Sequence, residues 1–320
     1  MRESLYLLIM GLPLLLSACS EPADTSLPSW ADGPAKTAVL TYVHSLTQPA
    51  SARFLPQAQR IAVFDHDGTL WAERPVYFQT YMIYEEVIKQ APLHPDWQTL
   101  QPFKAVLDND QGYLDEQGYA AMRILSAAVT QGMTTDAYRH LSETFALNSV
   151  HPESKVRFAD LTYAPMLELV NYLHENDFQV FIVSGGDIGF IRGFSEQLYG
   201  IPRERVIGSS RSNEWSEDAI SVLRGGQFAS MNVNQTKVLN IDLHIGRLPV
   251  FAVGNSDGDL AMLAYTASHG GFALLLEHDD AVREYGYRDG ALNALEAAAE
   301  NSWAVVSMRN DFLQVFNASN

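Results

Sequence analysis

Two aspartates, Asp65 and Asp67, open the run Asp65-His66-Asp67-Gly68-Thr69-Leu70, directly after a short apolar stretch at 60–64. Carboxylates so spaced in a turn can divide labour. One attacks phosphorus in line; the other donates a proton to the leaving oxygen and later takes one from water. Gly68 permits the tight turn. Both carboxylates beside one phosphate would repel it, so the site calls for a divalent cation, and hard oxygen donors with retained waters favour Mg²⁺. Two further apolar runs also end in small or acidic residues. Ser184-Gly185-Gly186 follows the run at 178–183, where a hydroxyl and free amides at a helix start would cradle phosphate. Asn255-Ser256-Asp257-Gly258-Asp259 follows the run at 249–253.

These residues need a scaffold that brings strand ends together. The runs at 60–64, 178–183 and 249–253 read as buried strands, and 272–276 and 303–307 as two more. Helical spacing recurs between them, at 36–46, 166–173, 188–198, 235–245 and 260–265. Alternating strands and helices predict an α/β fold with a doubly wound parallel sheet, which binds ligands at the C-terminal ends of its strands. The stretch from Asp65 to Ser184 is far longer than one crossover needs. Periodicity predicts four helices there, at 76–89, 97–107, 117–129 and 134–147, with Thr134 or Thr135 as an N-cap. Residues 76–155 are therefore expected to form a helical cap over the sheet edge, leaving 31–75 and 156–320 as the core.

With Lys237 standing between the second and third of these runs, four motifs fall in this order, and the chain resembles the haloacid dehalogenase (HAD) superfamily, in its phosphoserine-phosphatase-like branch with a helical cap. The resemblance runs from about residue 31 to the C-terminus. It implies a Rossmann-like core and an Mg²⁺-dependent phosphomonoesterase acting on small esters. Asp65 would be the nucleophile that forms an aspartyl-phosphate, and Asp67 the general acid/base. Ser184 and Gly185 would hold the phosphate. Lys237, the sole lysine after Ser184, would offset its charge. Asp65, Asp67 and the third motif would hold the metal. Relatives commonly carry Asp where Asn255 stands; Asn keeps a hard oxygen but no charge, so Asn255 and Asp259 are both candidate ligands. A dehalogenase is disfavoured because those relatives lack an equivalent of Asp67. A phosphotransferase using the same intermediate and a non-catalytic solute-binding lipoprotein are the alternatives.

Glu73 and Arg74 stand where related phosphatases read their substrates; an ion pair or interdomain contact is their other use. His66 is expected to point away from the phosphate. His278-Asp279-Asp280 reads as an exposed polar loop rather than a second metal site. Trp71, Tyr77, Tyr81 and Trp97 read as core rather than as an aromatic cage.

Composition narrows the partners. Thirty-eight acidic residues face 21 lysines and arginines, a net charge of −17, so a polyanion such as nucleic acid is repelled. One cysteine excludes a disulfide framework and a multi-thiolate metal site. That cysteine, Cys19, follows an apolar run at 5–16 that is too short for a bilayer, which needs about 20 residues, and has the length of a signal h-region. Leu16-Ser17-Ala18-Cys19 resembles a bacterial lipobox. The resemblance implies a leader at 1–18, a lipid on Cys19, and a tether at 19–30 on the periplasmic side of a membrane. Ser20, not Asp, points to the outer membrane rather than the inner.

Overall fold

The computed structural model describes residues 26–317. The expected leader, Cys19 and the first part of the tether lie outside them. Among the described residues no helix is long and apolar enough to cross a membrane.

In chain order the strands are β1 (Ile61–Phe64), β2 (Gln179–Asp187), β3 (Val206–Arg211), β4 (Glu214–Ser216), β5 (Ser221–Leu223), β6 (Phe228–Ser230), β7 (Phe251–Gly254), β8 (Phe272–Glu277) and β9 (Ala304–Ser307). Seven of them form one sheet in the order β6-β3-β2-β1-β7-β8-β9. It is parallel except for β6, which runs antiparallel to β3. This is the expected doubly wound α/β architecture. From β1 the chain builds outward through β2 and β3, then returns to place β7 on the other side of β1. The C-terminal ends of β1 and β7 therefore flank the topological switch point, where such sheets open a crevice.

The side-chain period of two explains why these strands are apolar throughout. Ala62 and Phe64 face one hydrophobic core, which they share with helices Pro34–Thr47 and Ala164–Glu175. Ile61 and Val63 face a second, shared with Gln235–Ile245, Leu260–Ala267 and Leu292–Asn301. A strand buried on both faces has no room for a polar alternation.

Between β1 and Ala164–Glu175 come four helices, Phe78–Gln90, Phe103–Leu107, Gln111–Thr130 and Thr135–Asn148. The last starts at its expected cap: Thr134 accepts a hydrogen bond from the Ala137 amide at 3.1 Å. The third starts earlier than its spacing suggests, because Asp110 caps it through the Tyr113 amide, and Gly118 interrupts it with a positive φ of 45°. The second is shorter than expected. Residues Pro95–Gln98 form a separate 3₁₀ turn, with Trp97 stacked between His94 and Phe103.

Three differences lie near the site. β2 continues through Ser184-Gly185-Gly186 to Asp187, so that segment is strand and not a helix start. The helical stretch after it breaks into Ile188–Arg192 and Ser195–Tyr199. β3, β6 and the separate β4–β5 hairpin fall in a region where no strand was expected.

Candidate active site

Register brings the motifs together. Phe64 pairs with Ile182 on one side and Val253 on the other, and the Asp65 amide donates to the Val253 carbonyl at 2.9 Å. Asp65 and Asn255 therefore leave the ends of β1 and β7 close to one level, beside Ser184 within β2. Gly68 then turns the chain sharply, at φ 72°. A Cβ there would lie 2.8 Å from both Asn255 Cγ and Glu73 Cδ, so only glycine fits.

Lys237 Nζ donates to Asp65 Oδ1 and to Asp259 Oδ1, each at 2.5 Å, and all three side chains are buried. Asp259 Oδ2 accepts from the amides of Asn255 and Ser256 and from the Ser256 hydroxyl, each at 3.1 Å. Asp259, expected near a metal, thus has both oxygens engaged and does not line the cavity described below; its structural task is to hold Lys237 on Asp65. Burial raises Lys237's own cost of charge, but Asp259 and Asp65 overcome it and hold the ammonium above its ordinary range. Burial, reinforced by Asp259 and opposed by Lys237, pushes Asp65 up to about 7.

Asp67 is treated differently. Trp71 Nε1 donates to its Oδ1 at 2.7 Å, and His66 Nδ1 lies 3.4 Å from the same oxygen. Burial opposes ionisation, yet His66, the indole and Lys237 together lower its pKa below the ordinary carboxylate value. His66 is fully buried, and its Nε2 pairs with Tyr199 OH at 3.0 Å, away from the cavity. Trp71 therefore does more than fill the core.

Ser184 Oγ accepts the Gly186 amide at 3.0 Å, while its carbonyl takes Asn232 Nδ2 at 2.9 Å. Asn232, itself held by Asn240, braces this part of β2. Asn255 is buried: its amide donates to Glu73 Oε1 at 3.1 Å and Tyr287 OH at 3.3 Å, and its oxygen accepts from Thr69. Tyr287 also donates to Glu73. Burial pushes Glu73 up to about 7, against the Tyr287 hydrogen bond and with help from Asp67. Arg74 stacks over the Tyr287 ring at 4.5 Å and pairs with Asp289 at 3.0 Å. Glu73 and Arg74 are thus both bound to the 287–289 segment.

A cavity of about 580 Å³ joins these parts. Its floor holds Asp65, Asp67, Ser184, Gly185 and Lys237, and its walls include Glu73, Arg74, Tyr77 and residues of the long helix Gln111–Thr130. Tyr77, expected in the core, is more than half exposed and lines it; Trp97 is buried. His278 and Asp280, expected in an exposed loop, are buried as well. His278 Nε2 lies 2.8 Å from the Gly68 carbonyl and its ring stacks on Tyr287, so it locks the turn after Asp67. Only the surroundings of Gly68, far off in sequence, reveal this.

Among the described residues no three His, Cys, Asp or Glu side chains converge as a metal cage. The donor set suits a hard cation nonetheless. Asp65, Asp67 and Asp259 crowd a single ammonium, that of Lys237. The Asp65 carboxylate and the Asp67 carbonyl are donors at the cavity, and the Asn255 amide oxygen, held by Thr69 behind the cavity lining, is the third candidate.

Fold and site together define a doubly wound α/β protein with a carboxylate and lysine centre at its switch point. Residues 62–264, more than half of the chain, match the family of haloacid dehalogenase-like hydrolases, and the chain belongs to that family. No curated protein matches it. Among solved structures it is similar to a conserved protein of unknown function from Anaerococcus prevotii DSM 20548. That match has 18% identity and a TM-score of 0.54, covering 85% of this chain and 91% of that one. A protein of unknown function from Bordetella pertussis Tohama I follows, with 12% identity and a TM-score of 0.49 over 78% and 98%. A phosphoserine phosphohydrolase-like protein from Francisella tularensis subsp. tularensis SCHU S4 shares 18% identity with a TM-score of 0.43 over 77% and 94%. The first likeness speaks for the fold alone, and the looser two carry no argument.

Proposed function

We propose that the protein is an Mg²⁺-dependent phosphomonoesterase that hydrolyses small phosphate esters through an aspartyl-phosphate on Asp65. The observation that carries this reading is the pairing of two unlike carboxylates at the switch point. Asp65 is held by Lys237 at 2.5 Å, and Asp67 by the Trp71 indole at 2.7 Å.

An Asp65 oxygen attacks phosphorus in line, and the bond from phosphorus to the ester oxygen breaks. Asp67 gives that oxygen its proton, which an alcohol leaving group needs. The lowered pKa of Asp67 is countered when a phosphate dianion enters, since the added negative charge favours the protonated acid. Asp67 then takes a proton from water, whose oxygen attacks phosphorus and returns Asp65 as a carboxylate. The Lys237 ammonium, the Ser184 hydroxyl and the Gly185 amide stabilise charge on the transferring oxygens. Mg²⁺, held by Asp65, the Asp67 carbonyl and Asn255, would neutralise phosphate charge and keep Asp65 ionised.

The four helices between β1 and Ala164–Glu175 act in this reading as a cap that admits small substrates only. The enzyme works on the periplasmic side of a bacterial membrane, anchored through a lipid on Cys19, at the outer membrane rather than the inner. Its acidity leaves small phosphate esters, not nucleic acid, as partners. The test is phosphate release from a panel of phosphomonoesters with and without Mg²⁺. Turnover that needs Mg²⁺ supports the reading; tight binding of the esters with no turnover would replace it by a binding role. Retention of a Cys19→Ser variant in the membrane fraction with normal processing would remove the lipid anchor.

A further inference from the structure

Farther along β2 from Ser184, the cavity lining holds a second charged group that the phosphatase chemistry does not use. Asp187, at the end of β2, accepts from Arg224 Nη2 at 2.9 Å and from Arg211 Nε at 3.3 Å. All three side chains are at most 3% exposed. Asp187 and Arg211 line the cavity. Two guanidiniums thus share one carboxylate, and the other close neighbour of Arg224 is the neutral ring of Tyr138, 3.4 Å away. One buried positive charge is in excess, which a fold does not keep cheaply unless something answers it.

Arg211 has the donors to take that answer. Of its five N–H groups, one meets Asp187, one the Gly226 carbonyl at 3.0 Å and one the Ser126 hydroxyl at 2.7 Å. The remaining two have no hydrogen-bond partner among the described residues. The Phe228 ring, 4.0 Å from the guanidinium carbon, covers one face and fixes its plane. Elsewhere on the wall, Glu73 is engaged by Asn255 and Tyr287, and the exposed Asp115 by Gln111.

We propose that Arg211 binds a second anionic group of the substrate, so that the preferred esters carry a carboxylate or another phosphate at the end remote from the transferred phosphoryl group. The inference rests on the phosphatase reading of the same cavity. Asp187 lies three strand steps beyond the phosphate cradle at Ser184, a span of up to about 10 Å. An elongated two-ended molecule bridges that span; a compact one does not.

The test compares three straight-chain alkyl phosphates of equal length, ending in a carboxylate, a phosphate or a methyl group. Wild type is expected to prefer one of the anionic esters over the methyl-ended one by about tenfold or more in kcat/KM. Arg211→Gln should collapse that ratio towards one, chiefly through KM, and Arg211→Lys should keep part of it. Equal kcat/KM for all three in wild type, or an unchanged ratio in Arg211→Gln, would overturn the proposal. Should Arg211→Gln fail to fold, wild-type binding of the matching non-hydrolysable phosphonates decides. Equal affinity for the anionic and methyl-ended phosphonates rejects the subsite. These binding data also separate the two claims, because they read the anionic subsite even if no ester is turned over.

Discussion

Asp259 is fully buried and holds Lys237 at 2.5 Å while its other oxygen anchors the amides of Asn255 and Ser256. It therefore aims the ammonium at Asp65 through one oxygen and shapes the end of β7 through the other. Asp259→Asn should lower kcat by roughly tenfold to a hundredfold as Lys237 loses its aim. The Mg²⁺ concentration for half-maximal activity should hardly move. An Mg²⁺ titration of activity checks this; a large shift with kcat preserved would make Asp259 a metal ligand instead.

Asn255 donates to Glu73 at 3.1 Å, where an aspartate would set carboxylate against carboxylate. Asn255→Asp should lower stability without Mg²⁺ by about 1–3 kcal/mol, a drop of several degrees in Tm. Added Mg²⁺ should raise Tm more in the variant than in wild type. Melting curves across an Mg²⁺ series read both effects. An equal Mg²⁺ response in the two proteins would place Asn255 outside the metal's reach.

In the proposed reaction, Asp67→Asn removes the proton donor but leaves the nucleophile. The loss should be largest for alkyl phosphates and smallest for nitrophenyl esters, whose leaving group needs little help. Trp71→Phe, which deletes the 2.7 Å hydrogen bond, should show the same pattern more weakly. Equal losses across leaving groups would argue against the acid role.

How much of this was legible from the residues depended on how local the cause was. The ends of β1 and β7 could be read because fully buried parallel strands are short apolar runs. β3 could not, since Gly208, Ser209, Ser210 and Arg211 break that pattern although most of them are buried. Asp65 and Lys237 came from motif order. Their supports did not: Tyr287 reaches Glu73 across 214 positions, and His278 reaches Gly68 across 210. Asp187, Arg211 and Arg224 sit on three different segments, and nothing in their sequence spacing suggests that they meet.

Asp187 also gives a pH signature. Burial alone would raise its pKa, but Arg224 and Arg211 hold it below the ordinary 3.8. A depressed folded-state value means stability fully present above that ordinary value and lost as pH falls through the folded one. Asp187→Asn, which leaves two guanidiniums unanswered, should cost about 3–5 kcal/mol at neutral pH. The gap to wild type should stay constant down to about pH 5 and narrow in stronger acid. Urea titrations over that range test it; a gap that widens in acid would contradict the pairing.

The most direct measurement is a rapid acid quench of the enzyme turning over a phosphomonoester with Mg²⁺, followed by mass spectrometry of the peptide that carries Asp65. A phosphoryl group on Asp65, absent in Asp65→Asn together with all but about 1% of turnover, is the predicted result. Steady turnover by Asp65→Asn, or phosphate release with the label on another residue, would contradict Asp65 as the nucleophile.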